Sequence, residues 1–100
     1  MTYKLVVTSV AQLDIRDALN YYRDIKPALA LELYGLTEAS YALLEDNPQF
    51  YSYFHKSETL RSLVLRKFSY SLVFQIKTDE VFVVALHHRK SDPDKVLNRI

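Results

Sequence analysis

The stretch Val81-Phe82-Val83-Val84-Ala85-Leu86-His87 constrains this chain more than any other. Side chains along a strand alternate between two faces, and here both faces are apolar. A strand of that kind sits at the centre of a sheet, with cover on both sides. A chain of 100 residues must supply the neighbours and the cover from one domain with one modest core. The same strand then runs into His87-His88-Arg89-Lys90, and the pattern stops at Pro93. If the strand continues, His87 and Arg89 point one way and His88 and Lys90 the other.

Two strands precede it, Leu60–Phe68 and Tyr70–Lys77. In the second, Tyr70, Leu72, Phe74 and Ile76 share one face, and Ser71, Val73, Gln75 and Lys77 share the other. The first set packs on another layer and the second is more open. Thr78-Asp79-Glu80 makes the following turn. Near the start, Tyr3–Thr8 reads as a short strand with Tyr3, Leu5 and Val7 on one face. Ser9 and Gln12 form a capping-box pattern. A helix follows to about Asp24, with Val10, Leu13, Ala18, Tyr21, Tyr22 and Ile25 near helical spacing. Lys26-Pro27 breaks it, and Pro27 suits the first turn of a second helix running to about Glu45. Ala30, Leu33, Tyr34, Thr37, Tyr41 and Leu44 form its stripe, and Asp46-Asn47-Pro48 ends it. So short a link implies a helical hairpin. Residues 49–59 form a loop with four aromatics, which plug the core edge or stack on a ligand; plugging is the commoner use. Asp92-Pro93 opens a short terminal helix over 93–99. The order β-α-α-β-β-β is an α+β fold, a helical hairpin on a small, mostly antiparallel sheet, in a single domain over 1–100.

Composition removes several chemistries. With no Cys there is no disulfide frame and no thiolate site. A single Gly rules out Gly-rich phosphate loops and dinucleotide fingerprints. Adjacent histidines on a strand diverge, and no His-x-His spacing is present, so no metal and no cofactor are expected. No long apolar region follows Met1-Thr2-Tyr3-Lys4, so no signal peptide is expected, and no run approaches the roughly 18 residues of a membrane span. A cytoplasmic protein is the expectation.

Charge is unevenly placed. Residues 1–46 hold four Lys/Arg and seven Asp/Glu, a net −3, whereas residues 47–100 hold nine and five, a net +4. This asymmetry points to an anionic partner for the second half. Arg61, Arg66, Lys67, His88, Arg89 and Lys90 would form the facing patch, since Arg suits bidentate contact with carboxylate or phosphate. Solvated strand ends that block aggregation account for the same residues equally well. Ser71, His87 and Asp92 can be drawn as a nucleophile triad, but no nucleophile-elbow sequence supports it.

The order of pieces resembles the RelE/ParE toxin superfamily of bacterial toxin–antitoxin modules. The matching residues are Tyr21-Tyr22, Asn47-Pro48, Arg61, Leu65-Arg66-Lys67-Phe68, Tyr70 to Ile76 and His87 to Pro93. The resemblance implies a cytoplasmic toxin neutralised by a cognate antitoxin, which wraps it with helical and extended segments. It also implies a homodimer or a toxin–antitoxin hetero-oligomer. RelE-like members cleave mRNA on the ribosome and ParE-like members poison DNA gyrase. The ribonuclease pattern places lysines at Ser62 and Val64, an arginine at Ser71 and an arginine at Arg89. Only Arg89 matches, so the chain is similar to ParE-like members, which bind rather than catalyse. On that reading no residue is catalytic; the ribonuclease alternative would use Arg66, His87 and Arg89. A decayed module that only binds antitoxin is the third reading.

Overall fold

The computed structural model describes residues 2–99. Strand β1 (Lys4–Val7) leads into helices α1 (Ser9–Ile25) and α2 (Pro27–Asp46). A 3-10 turn, Pro48–Phe50, begins the aromatic loop. Strands β2 (Leu60–Leu65), β3 (Tyr70–Lys77) and β4 (Glu80–His88) follow, then the short helix α3 (Asp94–Leu97). The sheet order is β1-β4-β3-β2, with β1 parallel to β4 and the other pairs antiparallel. The α+β class and the mostly antiparallel sheet expected from the sequence are both present, and β4 is a central strand.

The two helices are joined by one residue. Lys26 is extended (φ −162°, ψ 118°), the conformation forced on a residue before proline. It closes α1 by donating its N–H to the Tyr22 carbonyl, and Pro27 then starts α2. The N-terminal cap of α1 differs from the expected Ser9. Thr8 fills that role: its hydroxyl accepts from the Ala11 N–H at 3.2 Å and donates to the Val83 carbonyl at 3.0 Å. Its own N–H also donates to Val83 at 3.0 Å. The last rung of the β1 ladder demands extended backbone, which an N-cap also needs, so one residue serves both.

The stripe of α1 is rotated from the one expected, whereas that of α2 holds except at Tyr34. Ala11 and Ala18 are buried, with Ile15, Leu19 and Tyr22 packed beside them, while Val10, Leu13, Tyr21 and Ile25 face outward. On α2, Leu33, Thr37, Ser40 and Leu44 are buried, and Tyr34 is exposed. Small residues win the buried positions on α1 because the helix lies close to β4. The β2 strand stops at Leu65, short of Phe68, because Arg66–Ser69 form the turn into β3.

The core has two parts. On one sheet face Leu63, Leu65, Leu72, Phe74, Val81, Val83 and Leu86 pack against the helical hairpin. On the other, Leu60, Val73, Val84 and Ala85 are covered by Phe54 from the loop and Val96 from α3. The alternation of β3 holds, but the second face is not the more open one expected: Val73 is buried under Phe54 and Val96, and Ser71 is buried too. In β4 it is interrupted: Val73 pairs with Ala85 but Phe74 pairs with Val83, so Val84 is an extra residue, a β-bulge. The bulge exchanges the faces. Val81 and Val83 face the helices, yet beyond Val84 it is Leu86 that does so, and His87 turns to the opposite side.

The backbone beside the bulge lacks a neighbouring strand, since β1 ends opposite Val83. Side chains substitute. Asp14 Oδ2 accepts the Leu86 N–H at 3.1 Å, and Arg99 Nη1 donates to the Val84 carbonyl at 3.0 Å. The two side chains also join in a two-pronged pair, at 2.7 Å and 3.1 Å. A half-buried, bidentate pair that also satisfies two backbone groups exceeds an ordinary surface ion pair in effect. Replacing Asp14 by Ala strands the Leu86 N–H and the guanidinium together. The expected loss is about 2 kcal/mol, read from urea unfolding midpoints. In a double-mutant cycle with Arg99→Ala the two losses should be strongly non-additive.

Candidate functional site

The sheet face away from the helical hairpin holds a cleft at the end of β4. Val64, Ser71 and His87 lie side by side across β2, β3 and β4 in register. Ser62 sits two residues along β2, Phe54 and His55 descend from the loop, and Arg89 follows β4. These seven residues line a cavity of about 290 Å³. No acidic residue lines it. Arg89 is held over the cleft because its N–H donates to the Ser69 carbonyl at 2.8 Å, prolonging the β3–β4 ladder by one rung.

His87 forms the floor and is only 5% exposed. Its Nε2 is buried without a hydrogen-bond partner among the described residues. Phe54 meets the ring edge-on at 5.2 Å between centroids, and the His55 ring lies 6.3 Å away. His55 itself sits in a left-handed turn (φ 50°), a conformation uncommon for residues with a side chain. Burial lowers the pKa of His87, and the neighbouring His55, His88 and Arg99 lower it further, against a small opposing effect of Asp14. Burial favours the neutral form of the imidazole.

The six basic residues singled out from the sequence have different surroundings. Arg89 lines the cleft. His88 points to the opposite face, its ring 5.1 Å from that of Tyr70. Lys90 is exposed in the turn after β4. Lys67 pairs with Glu32 of α2. Arg66 borders a shallow groove of about 550 Å³ with Leu43, Phe50, Tyr51 and Val64. Arg61 is directed at its own loop: it donates to the carbonyls of Tyr51 (2.7 Å) and Gln49 (3.2 Å) and lies 4.3 Å above the Tyr53 ring. Arg66, Arg89 and Lys90 have no acidic partner among the described residues.

The loop aromatics divide two and two. Phe54 plugs the second core and Tyr51 packs edge-on against Phe74, whereas Phe50 (76% exposed) and Tyr53 stand in solvent. Of the imagined triad, Ser71 does lie opposite His87, but the Asp92 carboxylate accepts the Asp94 N–H at 2.9 Å at the start of α3. No three His, Asp or Glu side chains cluster as metal ligands among the described residues. No described helix is long and apolar enough to cross a membrane.

No family model matches the sequence, and no curated protein matches it. Its likeness is structural. A chain of a chromosomal ParDE toxin–antitoxin system from P. aeruginosa superposes with a TM-score of 0.74 over 87% of this chain and 96% of the other, at 20% identity. The fold is RelE/ParE-like. In this RelE/ParE-like frame, the four positions matched to ribonuclease cations, Ser62, Val64, Ser71 and Arg89, come together in the one cleft. Three of them are uncharged. His55 completes the cleft without having stood out in the sequence, because a lone histidine in a loop carries no spacing signal. Asp14 and Arg99 were equally silent, being 85 residues apart.

The buried imidazole has a consequence for stability. Its folded pKa lies below the unfolded 6.5, so the unfolded chain binds the proton more readily. Stability is therefore complete above pH 6.5 and declines as pH falls through the window beneath it. Urea midpoints measured between pH 7.5 and about 5 should show this decline. The decline should shrink in His87→Phe, which keeps the ring and removes the titrating group.

Proposed function

We propose that this chain is the toxin of a type II toxin–antitoxin pair, ParE-like in action. It binds and inhibits DNA gyrase in the cytoplasm, and a cognate antitoxin neutralises it. The likeness to the ParDE system supports the toxin class. The observation that carries the choice of mechanism is the identity of Ser62, Val64 and Ser71. Cleavage of a phosphodiester builds negative charge on the scissile phosphate and needs fixed cations aimed at it. Two hydroxyls and a valine in those places supply none, which favours binding over catalysis.

The surface fits that reading. Leu43, Phe50 and Val64 are exposed beside the unpaired Arg66. An apolar groove with a cation at its rim suits an antitoxin segment that is both apolar and acidic. Of the basic residues singled out from the sequence, Arg66, Arg89 and Lys90 are left without an acidic partner among the described residues and can meet an anionic surface of the target. The ribonuclease reading retains one supporting observation: Arg89 lies in a cleft with two imidazoles, His55 and His87, which are able proton carriers.

Expression alone in bacteria separates the two. The gyrase reading expects filamentation and an SOS response with transcripts intact, and inhibition of supercoiling by purified protein. The double variant Arg66→Ala/Arg89→Ala should weaken inhibition by about tenfold or more, as for removal of two rim charges. Cut transcripts with normal supercoiling would decide for the ribonuclease. Absence of both effects would leave a module that only binds antitoxin. Where a small acidic reading frame adjoins the gene, co-expression of its product should restore growth, and the product should co-purify with this chain.

A further inference from the structure

The seam between α1 and α2 holds a further cavity, of about 290 Å³, at the end of β1. Val7, Ile15 and Leu19 give it an apolar floor. Its polar groups are mainly acceptors. The Thr37 hydroxyl donates to the Leu33 carbonyl at 2.8 Å, which leaves its oxygen to accept. Gln12 gives an amide hydrogen to the Val7 carbonyl at 2.9 Å and keeps Oε1 as an acceptor. Glu38 adds a carboxylate, and no ion pair is made to it among the described residues. Tyr34 and Tyr41 complete the lining, which contains no Lys, Arg or His. Burial, then Glu38, then Tyr34 push the Tyr41 hydroxyl up to about 12, so it stays neutral. The cavity thus combines apolar surface, aromatic rings and one uncompensated negative charge.

We propose that this cavity receives a lysine or arginine side chain of a partner protein, with the aliphatic stem on the apolar floor and the cationic head against Glu38 and the two tyrosines. Such side chains bury their methylenes along apolar surface and keep the charge at the rim. The head meets a carboxylate, acceptor oxygens and aromatic rings, and ring faces attract cations. An acidic occupant would be repelled by Glu38 and would find no cation in the lining. A purely apolar one would leave the carboxylate desolvated without a partner. The surrounding charge agrees. Helix α2, Pro27–Asp46, carries Glu32, Glu38, Glu45 and Asp46 and no Lys or Arg, which favours the approach of a basic segment. Glu32 is already paired with Lys67. Arg16, next to Ile15 on α1, directs its guanidinium to Asp17 at 3.3 Å rather than to Glu38. Leu31 and Tyr34, 73% and 53% exposed, offer apolar contact to the residues that flank the inserted side chain. The cavity shares no lining residue with the groove beside Arg66, which suits a segment of the opposite charge.

The probe is N-acetylarginine N-methylamide, added to the full chain while the methyl resonances of Ile15 and Leu19 and the ring resonances of Tyr34 and Tyr41 are followed by NMR. Saturable shifts confined to this cavity are expected, with a dissociation constant on the order of 1 mM for so small a ligand. The matching citrulline compound, neutral and nearly the same shape, should bind about tenfold more weakly. Glu38→Gln, at an exposed position, should erase that preference. Tyr34→Leu should weaken arginine binding about threefold, the size of an exposed cation–π contact. The arginine–citrulline comparison needs no variant, so it decides the matter even if a variant fails to fold. Equal binding of the two compounds, or unsaturable shifts at all acidic residues alike, would overturn the proposal. Tighter binding of n-butylguanidinium than of the blocked arginine would overturn the assignment to a protein side chain in favour of a free small cation. The purified chain is the only macromolecule present, so failure here leaves the toxin reading to its own tests.

Discussion

One irregularity in β4 governs the layout of this molecule. The extra residue at Val84 turns the strand over, so that its first half presents Val81 and Val83 to the helices and its second half presents Leu86. Without it, His87 would share a face with Val81 and lie under the hairpin, because side chains recur every two residues. With it, His87 reaches the face away from the hairpin, next to Ser71. The bulge falls where β1 has run out, so the backbone there is also short of a strand partner. Asp14 and Arg99 provide the missing bonds from opposite ends of the chain. Closing the sheet, anchoring the end of α3 and orienting the cleft are consequences of the same local geometry.

Burial on both sheet faces then explains the loop and the terminal helix. A helical hairpin covers only one face. The second face, with Leu60, Val73 and Ala85, would be wet without Phe54 and Val96. Phe54 does more than fill space: the same ring packs against His55 and His87, so the second core and the cleft share a wall. Arg61 secures this arrangement by tying the preceding loop carbonyls, so a cation in a basic run is turned toward its own chain. Lys67 is similarly occupied with Glu32. Counting charges along the sequence overstates how many are free to meet a partner.

The cleft carries little fixed charge. Ser62, Val64 and Ser71 leave a polar, nearly uncharged interior with one guanidinium at the mouth. That is a poor place to stabilise a phosphoryl transition state and a good place to hold an imidazole neutral. The frame of a RelE/ParE-like fold therefore does not fix the chemistry done on it. The side chains at three strand positions and one just beyond β4 bear on it more.

The sequence alone determined the order of elements, the helical hairpin around Lys26-Pro27, the centrality of β4 and the alternation of β3. All of these follow from local rules: the conformation that proline imposes, the period of two, and apolar residues on both faces of one strand. It also fixed that His87 and His88 diverge, since neighbours on a strand always do. Which face each one meets was beyond it. A bulge leaves no mark in a run such as Val83-Val84-Ala85-Leu86, where every residue is apolar and any register buries something. The rotation of the α1 stripe, the cap at Thr8, the Asp14–Arg99 pair and the arrival of His55 beside His87 were decided only in the folded chain. Each depends on contacts between residues far apart in sequence, and long-range contacts have no period to read.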